Sequence, residues 1–354
     1  MFLNVLPNYL INGGYHFWQR GTTFASIADS TYYADRWKYK KSGTMVNTIA
    51  RVASVPTDAV TPYSSYITVG TTSAVASDLC YVQQPVEGSI GFKIYKKYAV
   101  LSFWVKSNKT GTYCVRIADS TGNYCLVKEY TISSSVNWEK KILRFKFPTT
   151  GGSWGTDTGL GFSVSFILSA GSTYKVATAD TWSSSTTAYA TSNQVNFNDS
   201  TSNYIYFAET VLCEDNSGQG LVPNYIFTGK DYASELRLCQ RYYEKSYALE
   251  TALATNTVVG MAWINSATTS NIHFYMPYAV EKRVSPLVWT WDRAGNASKL
   301  TNTSNTTYTD NITNSPGVVL PSNMSGPKGL SWSVAPQTAP TNNTGFHWAV
   351  DSEL

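Results

Sequence analysis

The stretch that decides the fold is "YAVLSFWVKS", Tyr98 to Ser107. Leu101, Phe103 and Val105 point to one side; Ser102, Trp104 and Lys106 point to the other. A period of two marks a strand with one buried face. After the turn "SNKTG" the chain returns as "GTYCVRIAD" (111–119). Further out, "NWEKKILRFKF" (137–147), "GLGFSVSFIL" (159–168) and "NYIYFAETVLCE" (203–214) read as strands of the same kind. Strands at near-regular intervals with Gly, Asn and Ser turns predict a jelly-roll β-sandwich over residues 8–215. Within it, Ser172 to Ser202 reads as a long Ser/Thr/Ala loop or weak hairpin that carries Trp182 and Tyr189.

Beyond the sandwich, Gly218, Gly220 and Pro223 interrupt regular structure in "DNSGQGLVPNYIFTGKD" (215–231). Next, "ELRLCQRYYEKSY" (235–247) reads as one helix with Asp231 as its N-cap and Glu235 in the first turn, where an acid suits the dipole. Tyr232, Leu236, Cys239 and Tyr243 form a narrow apolar stripe along it. So short a helix is marginal alone and must pack on something. Residues 216–247 are therefore a linker and helix. Strands resume in "TVVGMAWIN", "SNIHFYMPYAVEKR", "PLVWTWD", "GLSWSVAP" and "TGFHWAVDSEL", which predicts a smaller β-sandwich over 248–354. The polar segment 294–316, with Tyr308, is an exposed loop or edge hairpin.

Composition narrows the function. The chain has 354 residues, a net charge of +4 and only 14% charged residues, against ~25% in typical domains. Its 25 Tyr and 11 Trp are many. No dense basic stripe exists, so nucleic acid is not an expected partner. No apolar run is long enough to insert in a membrane. The start "MFLNVLP" (1–7) lacks the basic region of a signal peptide and reads as an anchoring peptide. Cys80, Cys114, Cys125, Cys213 and Cys239 are odd in number and widely spaced, which predicts buried free thiols in a chain made in a reducing cytoplasm.

Catalytic patterns are scarce. His16, His273 and His347 lie in no metal-binding spacing, and no nucleophile elbow, P-loop or dinucleotide fingerprint is present. No enzyme activity, metal or cofactor is expected. Glu209, Glu214 and Asp215 sit at a strand end and are the acids to test for hydrolysis. Aromatics are the stronger signal. Trp18, Tyr32, Tyr33, Trp37, Trp154, Trp182, Trp289, Trp291, Trp332 and Trp348 exceed what two modest cores need. Exposed rings offer flat faces to the C–H face of a sugar, although such rings also fill cores and interfaces. Because binding residues favour loops, Trp182, Tyr189, Tyr308 and Trp154 are the candidate glycan contacts.

Taken in order, "NYLINGGYHFWQRGTTF", "YYADRW", "YAVLSFWVKS", "NWEKKILRFKFP", "ELRLCQRYYEKSY", "MPYAVEKRVSPLVWTW" and "FHWAVDSEL" resemble bacteriophage tail-fibre or other virion appendage proteins. That resemblance implies a carbohydrate-module-like jelly roll, a "CQRYY" helix, a C-terminal β-domain and a homotrimer. It implies virion localisation, other virion proteins as partners through the N-terminus, and attachment to a host-surface glycan. Arg241, Tyr242 and Glu244 on the helix are then candidate contacts between subunits. Calcium-binding jelly rolls of this kind carry an acid after an "NGGF"-like turn, where this chain has His16. The alternative reading is a purely structural virion component that docks on tail or capsid neighbours.

Overall fold

The computed structural model describes residues 7–215, 231–264, 272–297, 299–302, 307–309, 325–334 and 344–354. The predicted anchor peptide, most of the linker and most of 303–324 lie outside the described residues. Two compact units emerge. The first runs to Asp231 without Gln19–Gly21 and takes in Leu354; the second comprises Gln19–Gly21 and Tyr232–Glu353.

The first unit contains strands β1 (Thr23–Phe24), β2 (Lys38–Ser42), β3 (Val46–Val52), β4 (Ser64–Thr71), β5 (Leu79–Glu87), β6 (Tyr98–Ser107), β7 (Gly111–Asp119), β8 (Tyr124–Ile132), β9 (Glu139–Lys146), β10 (Leu160–Ala170), β11 (Trp182–Ser184) and β12 (Tyr204–Glu214), with a one-turn helix α1 (Gly88–Gly91). One sheet has the order β1-β3-β4-β12-β6-β9, and the other β11-β8-β7-β10-β5-β2. All strand pairs are antiparallel. The unit is a jelly-roll β-sandwich. The alternation in β6 sends Leu101, Phe103 and Val105 into the core, where Phe103 meets Phe166 of β10 edge-on at 4.9 Å. Phe207 of β12 packs on Phe166 at 5.0 Å and Tyr130 of β8 on Phe103 at 5.0 Å.

The "NGG" turn locks this sandwich. Asn12 has φ 56°, and its side chain bonds the backbone of Phe17 and Asp35. A Cβ at Gly13 would lie 2.0 Å from the Thr210 carbonyl oxygen, so only glycine fits. Across that contact Thr210 donates its N–H to the Gly13 carbonyl. Glu209 and Thr210 form a bulge in β12, with Glu209 at φ 47°.

The second unit begins with α2 (Tyr232–Gln240). The helix stops at Gln240, and Tyr243–Lys245 forms strand β13 rather than a further turn of helix. Pairing decides this: Tyr243, Glu244 and Lys245 stand opposite Asp351, Val350 and Ala349 of the last strand. The remaining strands are β14 (Ala262–Ile264), β15 (Ile272–Pro277), β16 (Leu287–Trp291), β17 (Lys299–Asn302), β18 (Thr307–Thr309), β19 (Ser325–Gly326), β20 (Gly329–Val334) and β21 (Thr344–Asp351). β21 pairs with β13, β14, β16 and β17, while β15-β20-β19 form a second sheet. Tyr278, Val288, Leu330, Phe346, Trp348 and Val350 fill the core between them, giving a smaller β-sandwich.

All five cysteines are free and buried. Cys114 stands opposite Glu129, and Cys125 opposite Ala118, so the hairpin does not bring the two thiols together.

Candidate functional site: an open aromatic face

The two sheets of the first unit have very different outer faces. On the second sheet, Leu79, Tyr81, Cys114, Val127 and Ile167 point outward and are covered by Tyr174, Ala177, Tyr189 and Ala190 of the long loop. Polar bonds hold that cover down. Gln194 accepts the Cys114 N–H at 2.7 Å and donates to the Ile167 and Val195 carbonyls. Arg116 is buried; it donates to the Ala188 and Gly122 carbonyls and stacks on the Tyr189 ring at 4.4 Å.

The first sheet keeps an aromatic outer face that is partly solvent-exposed. Its pleat carries one cross-strand row. Tyr66 of β4 stands opposite Tyr206 of β12, and Tyr206 stands opposite Lys106 of β6. The Tyr66 and Tyr206 rings stack at 4.4 Å, and Trp138, just before β9, meets Tyr206 edge-on at 5.7 Å. Tyr204 closes the group, 5.6 Å from Tyr206 and 6.1 Å from Tyr66. One row further, Trp104 stands opposite Lys140, whose ammonium lies 5.8 Å from the indole centroid. Tyr66, Trp104, Trp138, Tyr204 and Tyr206 are all part-exposed. Partial burial, together with the adjacent Tyr66 and Tyr204 phenols, pushes the Tyr206 phenol up to about 12. The hydroxyl therefore stays protonated at neutral pH, able to donate and accept.

Lys106 reaches across this row. Its ammonium lies 4.1 Å from the Tyr206 centroid and 5.0 Å from that of Trp138, and it donates to Ser54 Oγ at 2.9 Å. Burial among the rings lowers its pKa below the ordinary lysine value.

The residues singled out in the sequence fall elsewhere. Tyr189 is part of the cover, between Tyr81 (5.3 Å), Tyr174 (5.5 Å) and Arg116. Trp182 stacks on Tyr124 at 5.7 Å and donates its indole N–H to the Lys146 carbonyl. Trp154 meets Trp182 edge-on at 5.5 Å and donates to Gly151. These two tryptophans close one end of the core beside Phe147. Tyr308 lies in β18 opposite Leu300, and its side chain is outside the described residues, as is that of Trp332. Trp18, Tyr32, Tyr33, Trp37, Trp291 and Trp348 are buried, so they serve the cores. Sequence reasoning passed over Tyr66, Tyr204 and Tyr206. The readable signal was the outward alternation of Tyr204 and Tyr206 in "NYIYF".

The proposed subunit contacts are also engaged within the chain. Tyr242 is fully buried. Glu244 accepts from Lys282 at 2.5 Å and from the Ala279 N–H at 3.0 Å. Arg241 donates to the Glu281 carbonyl.

The acids considered for hydrolysis have partners too. Glu209 accepts the Val60 and Thr61 N–H groups at 2.5 and 3.1 Å. Glu214 pairs with Lys97 at 2.7 Å, and Asp215 with Arg144 at 2.6 Å. Among the described residues one serine–histidine pair has hydrogen-bond geometry: Ser246 Oγ lies 3.0 Å from His347 Nδ1. The imidazole is fully buried, stacked on Tyr247 at 3.7 Å, with Nε2 donating to the Thr257 carbonyl. Ser246 Oγ also accepts the Trp348 N–H. This pair holds the chain at Ser246 to β21. Among the described residues no three His, Cys, Asp or Glu side chains converge as a metal site.

No family model and no curated protein matches this chain. Among solved structures, the enzymatically active domain of tailspike protein 4 of bacteriophage CBA120 aligns at TM-score 0.34 and 16% identity, over 59% of this chain and 21% of that one. This chain thus spans about a fifth of that domain's length. A putative sugar-binding protein from Bacteroides thetaiotaomicron aligns at TM-score 0.35 and 11% identity, over 59% of this chain and 100% of that one. The carbohydrate-binding module TmCBM61, in complex with β-1,4-galactotriose, aligns at TM-score 0.31 and 13% identity, over 59% and 99%.

Proposed function

We propose that this protein is a bacteriophage virion appendage, of the tail or tail fibre, that binds a host-surface glycan without cleaving it. The observation that carries the glycan reading is the open row of Tyr66, Tyr206 and Trp138 with Lys106 among the rings. A pyranose has an apolar C–H face that lies flat on such rings, and its hydroxyls find phenols and Ser54 at the edge. The virion part rests on the ordered sequence motifs from "LINGGYHFW" through "CQRYY" to "FHWAVDSEL". Binding without hydrolysis accords with Glu209, Glu214 and Asp215, each already bonded to backbone amides or a cation.

A shallow face suffices if copies act together. A millimolar site is worth only about −4.1 kcal/mol. Joining sites in one assembly raises avidity by roughly 10²–10⁴ without new contacts. A homotrimer displaying three such faces would do this, and the N-terminal peptide would mount it on a neighbouring virion protein.

The test applies purified protein to a panel of bacterial cells and their isolated surface polysaccharides. Wild type is expected to label a host and release no reducing ends, and Tyr206→Ala and Trp138→Ala to lose the label. Light scattering is expected to return about three times the 39.0 kDa of one chain. Protein that labels no cell yet docks on virion particles would favour the purely structural role. Released reducing ends would overturn the reading of binding alone.

A further inference from the structure

Lys106 differs from its neighbours in what balances its charge. Around the first unit, Lys97 pairs with Glu214, Lys109 with Asp199, Lys141 with Glu139 and Arg144 with Asp215. Among the described residues Lys106 makes no ion pair; its ammonium rests on two rings and one hydroxyl. The pleat explains why no carboxylate pairs with it. Ile49, Ile67, Leu101, Phe103, Leu143 and Phe145 face the core, so the alternate residues face outward. In β3, β4, β6 and β9 those outward positions include Lys106, Lys140, Arg144 and Lys146 and no Asp or Glu. The aromatic row thus holds in Lys106 an ammonium that no carboxylate of the described residues pairs. A neutral sugar needs the rings and hydroxyls alone. A half-buried ammonium in the middle of the row is a cost to the free protein, recovered when an anion meets it.

We propose that this face selects an anionic saccharide, one bearing a carboxylate or phosphate group that pairs with Lys106 while its ring stacks on Tyr206. This rests on the glycan reading of the same face. The rings give affinity for sugar, and Lys106 gives preference for its charge.

The experiment uses immobilised polysaccharides in matched pairs that differ only in charge: polygalacturonate against its methyl ester, and a phosphorylated mannan against its dephosphorylated form. Wild type is expected to hold the charged member of at least one pair about tenfold more tightly, equivalent to about 1.4 kcal/mol, with the responsive pair telling carboxylate from phosphate. Lys106→Met is expected to bring the two members to parity. Tyr206→Ala is expected to weaken both members together, which separates failure of the charge preference from failure of the glycan reading. Circular dichroism and melting curves confirm that both variants fold. Equal binding of charged and neutral members, a preference that survives Lys106→Met, or retention of neither member overturns the proposal. So does a single-stranded DNA oligonucleotide bound as tightly as the charged glycan, which would reveal plain polyanion attraction.

Discussion

The outer faces of the two sheets in the first unit are built from the same strand chemistry and end differently. Both carry tyrosines beside cations. On one, Tyr81 and Arg116 lie under Tyr189 and the long loop. On the other, Tyr66, Tyr206 and Lys106 remain part-exposed. The difference separates an aromatic–cation cluster that is roofed and bonded, and so serves stability, from one left open, for which recognition is proposed. Arg116 has two carbonyl acceptors and a ring; Lys106 has rings and one hydroxyl. Arg116 is finished as a structural element, whereas Lys106 leaves bonding capacity for something else.

Mutations can break that comparison. The largest effect is expected at Arg116→Ala on the roofed face. It takes the arginine donor from the buried Ala188 carbonyl and the part-exposed Gly122 carbonyl, and removes the support of Tyr189. Each unsatisfied buried group costs about 1–3 kcal/mol, so chemical denaturation should show a loss of several kcal/mol. Tyr189→Ala should follow at about 2–3 kcal/mol, lower than the full core value because the ring is half-buried. If Tyr189→Ala instead leaves stability intact and removes glycan binding, the loop is a recognition element and the contrast between the faces fails.

On the open face the ranking reverses. Tyr206→Ala should cost only about 0.5–1.5 kcal/mol of stability, the worth of a surface aromatic pair, while lowering glycan affinity at least tenfold by isothermal titration. Trp182→Ala should sit between the two faces. Its ring closes the end of the core on Tyr124 and Phe147, so melting should move more than binding.

The smallest effect concerns pH. Burial holds His347 below its ordinary value of 6.5, and burial with the nearby Arg51 does the same for His16. The unfolded chain therefore binds these protons first as pH falls. Their contribution to stability is complete above about 6.5 and is lost as pH drops through the depressed folded values. Melting midpoints should fall between pH 7.5 and pH 5, and His347→Gln should flatten part of that slope.

Much of the fold was legible because it depends on short-range pattern. The alternation of "YAVLSFWVKS" placed Phe103 in the core and Trp104 and Lys106 outside, and the structure has them there. The helix was read too long because Tyr243–Lys245 becomes a strand only through β21, some hundred residues away in sequence. The site was less legible for the same reason. A tyrosine at position 189 looks exposed in a polar loop, and only long-range bonds such as those from Cys114 to Gln194 and from Arg116 to Ala188 bring that loop over the sheet. Conversely, Tyr66 gains its place only by standing opposite Tyr206, which is a matter of register across 140 residues. Local sequence shows which way a side chain points; it does not show what covers it.

Side-chain oxidation footprinting with mass spectrometry tests the central claim most directly. Hydroxyl radicals mark exposed tyrosine and tryptophan rings, with and without the bound host glycan. The account predicts protection of Tyr66, Trp138 and Tyr206 on binding, with Tyr189 and Trp182 unchanged. Protection of Tyr189 and Trp182 with Tyr66 and Tyr206 still reactive would contradict it.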